Sequence, residues 1–230
     1  MARRSAPRSA YDLAVDANRA SSSAGAGESV VSLADGSSIR VRPIAASDRA
    51  ALADGFDSLS TTSRYRRFLA PVDRLTDGWL TYLTEVDHHD HEALVASAAE
   101  SGEPVGVARF IRLADEPVVA EAAVAVVDGW QGRGVGSALV GLLAERAAEE
   151  GVERLRATSL ADNVPAIRLL ETLGKVNRSR AGGGVVELEV ELDGALGREH
   201  PLRAALRRAA SGALVFRPVA RLRDAGPGGD

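Results

Sequence analysis

Residues 130–137 read WQGRGVGS and connect a strand-like apolar run to the start of an amphipathic helix. Three glycines within five positions allow the backbone to pass close to a ligand and leave several amide N–H groups directed at it. The start of the following helix adds partial positive charge, equivalent to about +0.5 of an elementary charge. Because the amides and the helix dipole act together on anions, the stretch predicts a site for phosphate oxygens.

The spacing of these glycines distinguishes between the known phosphate-binding loops. A P-loop requires Gly-x4-Gly-Lys-Ser/Thr, and no Lys-Ser or Lys-Thr pair follows the glycines. A dinucleotide-binding Rossmann loop requires Gly-x-Gly-x-x-Gly, whereas the glycines fall at 132, 134 and 136. Neither of these loops fits the sequence.

The segment QGRGVG at 131–136 matches the pattern Gln/Arg-x-x-Gly-x-Gly/Ala and thereby resembles the acyl-CoA-binding loop of the GNAT superfamily of N-acyltransferases. The context fits as well, because a strand-like run at 121–127 precedes the loop and a helical pattern at 137–150 follows it. The resemblance implies an α/β (α+β) GNAT fold: a mixed, strongly twisted sheet of six to seven strands, flanked by about four helices. It also implies acetyl-CoA as co-substrate.

The resemblance places the contacts to acetyl-CoA on the loop, on the strand before it and on a later helix. The loop and the first helical turn supply Gln131, Gly132, Arg133, Gly134, Val135, Gly136 and Ser137. The strand supplies Val124 and Val126, whose exposed main chain would pair with the pantetheine amides beside a splayed sheet. Asn163 fits equally well a hydrogen bond to CoA and the N-cap of the helix that it begins.

Hydrophobic periodicity and turn residues divide the rest of the chain into strands and helices. Strands are predicted as a hairpin over 30–44 and at 93–99, 104–113, 118–127, 153–159 and 185–192. Helices are predicted from 47 or 48 to about 59 and over 75–86, 137–150, 163–173 and 202–210. The expected organisation is a flexible leader over 1–28, a GNAT acetyltransferase domain over 29–195, and a C-terminal helix and tail over 196–230.

Acyl transfer to an amine requires a base, because a lysine ammonium with a pKa near 10.4 is almost wholly protonated at pH 7. Glu121 is the candidate, since it begins the strand that leads into the loop and stands ten residues before Gln131. Its small apolar neighbours predict partial burial. At about 3.3 Å per residue, the strand from 121 to 126 spans about 17 Å, comparable with the extended pantetheine arm. Spacing alone fits an exposed edge-strand glutamate equally well.

Three segments resemble bacterial protein-lysine acetyltransferases of the Pat type: 59–69, 83–96 and 120–139. In that group a Glu in the Ala-Glu-x-Ala context is the general base, and Glu121 occupies the matching position. The resemblance implies a protein lysine as acceptor. A small amine is the first alternative, and a non-catalytic acyl-CoA-binding regulatory module is the second. The leader is too short for the regulatory region that Pat-type enzymes often carry, so control of that kind is not expected.

Two positions depart from the family pattern. Leu170 stands where many GNAT enzymes have the tyrosine that reprotonates the CoA thiolate. A thiol with a pKa near 8.5 leaves without full protonation, so activity remains compatible with this change. Lys175 follows Gly174 in place of the usual Phe, which removes a contact to acyl-CoA expected there.

Composition restricts the classes of function. With 28 basic and 32 acidic residues and a net charge of −4, nothing favours binding to nucleic acid or to an anionic membrane. Cysteine is absent, which excludes disulfides, thiolate metal sites and an acyl-cysteine intermediate. No apolar run approaches about 18 residues and the N-terminus lacks an apolar signal core, so neither a membrane span nor a secretory signal is predicted. A cytoplasmic location is expected.

Two polar clusters invite other interpretations. DHHDHE at 87–92 contains metal-ligating side chains, but neighbours in an extended segment point to opposite faces, so no metal is predicted and the segment is interpreted as structural. RYRR at 64–67 either contacts the adenosine 3′-phosphate or an acidic substrate, or forms a solvated helix face; the second is favoured. Trp130 is interpreted as packing at the loop entrance.

Overall fold

A computed structural model describes residues 27–192 of the chain. The predicted leader, apart from its last two residues, and the predicted C-terminal helix lie outside the described residues. None of the helices within 27–192 has the length and apolar character needed to span a bilayer.

Eight strands in the described part of the chain form one mixed sheet in the order β1-β2-β3-β4-β5-β6-β8-β7. The strands are β1 Ser29–Ser32, β2 Ser38–Pro43, β3 His91–Ala98, β4 Pro104–Arg112, β5 Val119–Val126, β6 Arg154–Leu160, β7 Val176–Gly182 and β8 Val185–Glu191. The helices are α1 Arg49–Asp57, α2 Thr61–Phe68, α3 Asp77–Thr84, α4 Val135–Glu149 and α5 Val164–Glu171. The predicted GNAT fold class is confirmed, and the numbers of strands and helices each exceed the prediction by one.

The sequence does not predict two of these elements. α2 is short and polar. It begins after Ser60, whose side chain accepts a hydrogen bond from Ser63 N, and it ends at Leu69, which has the left-handed conformation at φ 54°. β7 is exposed along almost its whole length, so it lacks the alternation that marks a half-buried strand. It pairs with β8 and forms the edge of the sheet.

The main core lies between α4 and one face of the sheet. Leu139 and Leu143 of α4 are almost fully buried against the even-numbered side chains of β4, such as Ala108 and Phe110. α1, α2 and α3 cover the opposite face, where odd-numbered side chains of β4 and β5 point. The two faces of β5 therefore meet different surroundings.

A buried ionic cluster fixes the C-terminal end of α4 to the start of β3. Glu92 is 1% exposed and accepts hydrogen bonds from Arg146 Nε at 3.2 Å and from His88 Nδ1 at 2.7 Å. The carboxylate of Glu92 raises the pKa of His88, although burial opposes this. His89 contacts Glu150 at 2.5 Å. Residues 87–92 thus bind neighbouring charged groups, and residues 27–192 contain no cluster of three or more His, Cys, Asp or Glu side chains suited to a metal ion.

Gly106 of β4 is required for close packing between β5 and α4. A Cβ atom at this position would lie 3.0 Å from the carbonyl oxygen of Ala125 and 3.0 Å from Leu139 Cδ1. We expect Gly106→Ala to lower the free energy of unfolding by about 1–3 kcal/mol, as overpacked core substitutions do. Gly78→Ala is the control, because nothing lies within 4 Å of its Cβ position and alanine favours helix by up to about 1 kcal/mol. Denaturant titration measures both; equal stabilities of the two variants would contradict this packing.

Candidate active site

β5 and β6 are paired only at one end, and the sheet opens beyond it. The parallel register runs from Val119 opposite Arg154 to Glu121 opposite Arg156 and then stops. β5 continues along β4 to Val126, and β6 continues along β8 to Leu160. The diverging strands bound a cleft of about 680 Å³, within the range of about 300–1,000 Å³ typical of small-molecule sites.

The main chain of β5 presents alternate residues to this cleft. Val127 N donates to the carbonyl oxygen of Val105 in β4 at 2.9 Å, so the main-chain groups of Val127 face β4. Successive residues direct their amide and carbonyl groups to opposite edges of a strand, so Val124 and Val126 direct theirs into the gap. Gln131 Nε2 confirms this direction for Val126, because it reaches the carbonyl oxygen from the open side at 3.0 Å.

The glycine loop ends at the mouth of the cleft. Gly132 and Gly134 have φ of 74° and 99°, in the left-handed region that glycine adopts without strain. Gly134 is the N-cap of α4 and no side-chain hydrogen bond caps the helix, so its first amides stay available to a ligand. Gly136 is packed closely, since a Cβ atom there would lie 3.3 Å from Leu169 Cδ2 of α5. Together with Gln131 and Ser137, these glycines line the cleft.

Asp128 connects the loop to the N-terminus of α2. Its carboxylate accepts hydrogen bonds from Ser60 N at 2.7 Å, from Gln131 Nε2 at 2.8 Å and from the Ser63 hydroxyl. Partial burial would raise the pKa of Asp128, but these hydrogen bonds outweigh it and hold the pKa below its ordinary value. α2 and the loop are therefore held as one unit at the cleft edge.

Arg133 and Val135, which were also predicted to contact the cofactor, are not among the described residues that line the cleft. Arg133 Nε donates to Asp35 in the β1–β2 turn at 2.5 Å, and its guanidinium stacks on Trp130 with 3.9 Å from Cζ to the ring centroid. Trp130 packs at the loop entrance, as predicted. Val135 is 1% exposed in the core beneath α4, because it begins the apolar face of that helix.

Glu121 lies where the β5–β6 pairing ends, and it lines the cleft. Its side chain is exposed, so the partial burial expected from its alanine neighbours is wrong: small side chains leave the site open to solvent. It shares the α2 face of β5 with Ala123 and Ala125. Arg67 of α2 lies near enough for Glu121 to raise the Arg67 pKa, which burial lowers by more.

The basic group at 64–67 is not a solvated helix face. Arg64 donates to the main-chain oxygens of Leu59 and Asp73 at 3.1 and 2.8 Å and stacks on Phe56. Arg66 and Arg67 line the cleft instead. The turn between α1 and α2 directs these side chains inward, and sequence periodicity gave no indication of it.

Comparison with known proteins gives the family. The model of the Acetyltransferase (GNAT) family matches residues 56–174, which include the glycine loop and nearly all residues that line the cleft. The chain belongs to this family. Its sequence is 37% identical over 152 residues to Acetyltransferase Pat of Mycolicibacterium smegmatis, covering 66% of this chain and 45% of the relative. It is 30% identical over 151 residues to Acetyltransferase PA5475 of Pseudomonas aeruginosa, covering 65% of this chain and 81% of that relative.

A solved GNAT structure is similar over most of its length. The GNAT domain of S. lividans PAT is 36% identical and superposes with a TM-score of 0.67, covering 72% of this chain and 97% of that domain. The chain thus spans less than half the length of the Pat relative but nearly the whole of an isolated GNAT domain.

The far wall of this GNAT cleft carries polar groups of two kinds. Asn163 is at the N-cap position of α5 but makes no side-chain capping hydrogen bond, and it is 8% exposed at the cleft. Ser159 of β6 is 5% exposed, and its hydroxyl has no hydrogen-bond partner in the described part of the chain. Sequence reasoning missed Ser159, because a serine in a strand carries no signal until its surroundings are known.

The two positions that depart from the family pattern lie differently with respect to the cleft. Leu170 is buried in the cleft wall at the position of the usual tyrosine, while the described tyrosines, Tyr65 and Tyr82, are exposed and do not line the cleft. Neither Gly174 nor Lys175 is among the described residues that line the cleft. A side-chain acid is therefore not present at the expected site.

The anchoring role of Asp128 predicts a pH dependence of stability. A carboxyl whose pKa is lower in the folded state stabilises the fold above its unfolded pKa, near 3.9, and the effect disappears as pH falls through the folded value. We expect Asp128→Asn to be less stable than wild type at pH 7 and the difference to shrink below about pH 4. Denaturant titrations from pH 7 to 3 measure it, with exposed Asp54→Asn as control. A difference that stays constant with pH would contradict the role.

Proposed function

We propose that this chain transfers an acetyl group from acetyl-CoA directly to an amine, with Glu121 as general base. The observation that carries the proposal is the unpaired stretch of β5. It places a free strand edge between the N-terminus of α4 at one end and the Glu121 carboxylate at the other.

The residues of the cleft fit acetyl-CoA. The amides around Gly132, Gly134 and Gly136 would hold the pyrophosphate, because the helix dipole favours anions at this end. The main-chain groups of Val124 and the amide of Val126, whose carbonyl oxygen already accepts from Gln131, would pair with the pantetheine amides as an additional strand would. The unpartnered Ser159 hydroxyl and Asn163 on the opposite wall offer polar contacts to the same molecule. Arg66 and Arg168 add positive charge to the cleft.

The proposed reaction proceeds without a covalent enzyme intermediate. Glu121 takes a proton from the acceptor ammonium, directly or through water, and the neutral amine attacks the thioester carbonyl carbon. The new C–N bond forms, the C–S bond breaks, and CoA leaves as thiolate. With Leu170 in place of a tyrosine, the thiolate, whose conjugate acid has a pKa near 8.5, takes its proton from water or from the protonated nitrogen of the tetrahedral adduct, which thereby becomes the amide nitrogen.

The proposed acceptor is a protein lysine. The resemblance to Pat-type enzymes at 59–69 and 83–96 and the 37% identity with Acetyltransferase Pat support this choice. The exposed position of Glu121 supports it further, because a side chain on a large substrate must approach the base from solvent. We place the reaction in the cytoplasm, where acetyl-CoA and its protein acceptors are found together.

Removing the base tests the mechanism. We expect Glu121→Gln to lower kcat by about 10²–10⁴-fold, as loss of a general base does, with little change in the Kd for acetyl-CoA. Acetyl-CoA turnover across pH 6–10 and calorimetric titration of acetyl-CoA measure the two quantities. Glu103→Gln, in the exposed β3–β4 turn, is the matched control. A rate near that of wild type at every pH would refute the assignment of Glu121.

The acceptor class has its own test. We expect a proteome incubated with the protein and acetyl-CoA to gain acetyl-lysine at defined sites, detected by mass spectrometry, and Glu121→Gln to abolish the gain. Acetylation of small amines without enrichment of any protein site would select a small-molecule acceptor. Tight acetyl-CoA binding with no turnover on proteins or amines would indicate that the chain is a non-catalytic regulatory module.

A further inference from the structure

A second cavity lies behind β5, on the face away from α4. It has a volume of about 160 Å³ and is enclosed by the sheet and by α1, α2 and α3. Leu59, Arg67, Phe68 and Ala125 line both this cavity and the cleft that contains Glu121. The two spaces therefore adjoin on the face of β5 that carries the Glu121 side chain.

The cavity contains two arginines that form no ion pair within the described residues, although Glu121 lies near enough to Arg67 to raise its pKa. Of the four described charged residues that line it, Arg42 and Asp48 neutralise each other through two hydrogen bonds of 2.6 and 2.7 Å. Arg67 and Arg109 form no ion pair with any carboxylate in the described part of the chain. Apart from these four residues, the walls are mainly aliphatic and aromatic: Leu52, Phe56, Leu75, Leu83 and Val95.

Arg109 is only 4% exposed, and its partners are neutral. NH2 donates to the Leu83 carbonyl oxygen at 3.2 Å, and NH1 lies 3.0 Å from His91 Nε2. Burial and then the charge of Arg109 lower the pKa of His91, so this imidazole is neutral at physiological pH and accepts the hydrogen bond. Burial and then the charge of Arg67 lower the pKa of Arg109 to about 10. A guanidinium is not deprotonated in proteins near neutral pH, so both arginines are treated as cations.

Buried cations in proteins are normally paired with anions, because an unpaired charge loses its hydration without compensation. Two neighbouring guanidiniums in one apolar cavity therefore indicate an anionic ligand. Guanidinium groups match the planar geometry of carboxylates. A carboxylate on a short aliphatic stem would satisfy both the charges and the apolar walls, whereas a phosphate would direct further oxygens at apolar side chains.

We propose that this cavity binds a carboxylate of the acceptor and thereby positions its amine at Glu121. The proposal rests on the proposed function and specifies its substrate class: an amine that carries a carboxylate nearby. The carboxylate belongs either to an acidic side chain beside the acceptor lysine of a protein or to a free amino acid. Arg67 and Arg109 are specificity-determining residues in this account, and neither takes part in the proton transfer.

Direct binding of a carboxylate without an amine tests the pocket separately from catalysis. Calorimetric titration with glutarate should show binding to wild type and at least 10-fold weaker binding to Arg67→Met and Arg109→Met. Arg180→Met, on the exposed strand β7, is the control and should bind as wild type does. If Arg109→Met does not fold, binding of glutarate to Arg67→Met, at a less buried position than Arg109, still tests the proposal. Equal binding by all four proteins, no binding to wild type, or tighter binding of inorganic phosphate than of glutarate would overturn the proposal.

Turnover with matched acceptors identifies the source of the carboxylate. One pair is a lysine peptide flanked by Glu or by Gln, and the other is free lysine and cadaverine. We expect the carboxylate-bearing member of one pair to have at least a 10-fold lower KM in wild type, and Arg67→Met to remove this difference in KM. Glutarate binding without turnover on any amine would refute the proposed function, whereas the proposed carboxylate pocket would stand. Turnover with equal KM values within both pairs would refute the proposed carboxylate pocket, whereas the proposed function would stand.

Discussion

The separation of β5 from β6 after Glu121 is the constraint on which the rest of the site depends. A sheet normally satisfies the main-chain groups on both edges of an interior strand, and an unmet amide or carbonyl group is costly away from water. Here the ladder stops after three residues of β5, although both strands continue with their other neighbours. An interior strand thereby gains a free edge inside a cleft, which suits an extended ligand that carries amides of its own.

The surrounding structure holds this opening in place from two sides. At the start of α4, Asp128 joins the glycine loop to α2. At the other end of the helix, Arg146 is bound to buried Glu92 beside β3. Between these points, Leu139 and Leu143 fill the core under the sheet. α4 is therefore fixed along its length, and its N-terminus keeps its orientation toward the cleft.

Local signals predicted the loop, β5, α4 and the position of Asn163, because glycines at positive φ, alternation and helical periodicity are properties of neighbouring residues. The features that the sequence did not predict depend on contacts between distant segments. Arg133 turns away from the cleft because Asp35, 98 residues earlier, binds it. Arg109 resembles an ordinary outward residue of an alternating strand, and only the packing of α1, α2 and α3 over that face buries it. The role of Glu121 stays a prediction, and its solvent exposure differs from what its neighbours suggested.

The central claim is that the free edge of β5 receives acetyl-CoA, and amide hydrogen exchange measured by NMR with and without acetyl-CoA tests it most directly. The account predicts that the amides of Val124 and Val126, which face the gap, exchange more slowly in the complex. Those of Ala123 and Ala125, which already face β4, should exchange at the same rate in both states. Unchanged exchange at Val124 and Val126 under saturating acetyl-CoA would contradict the account.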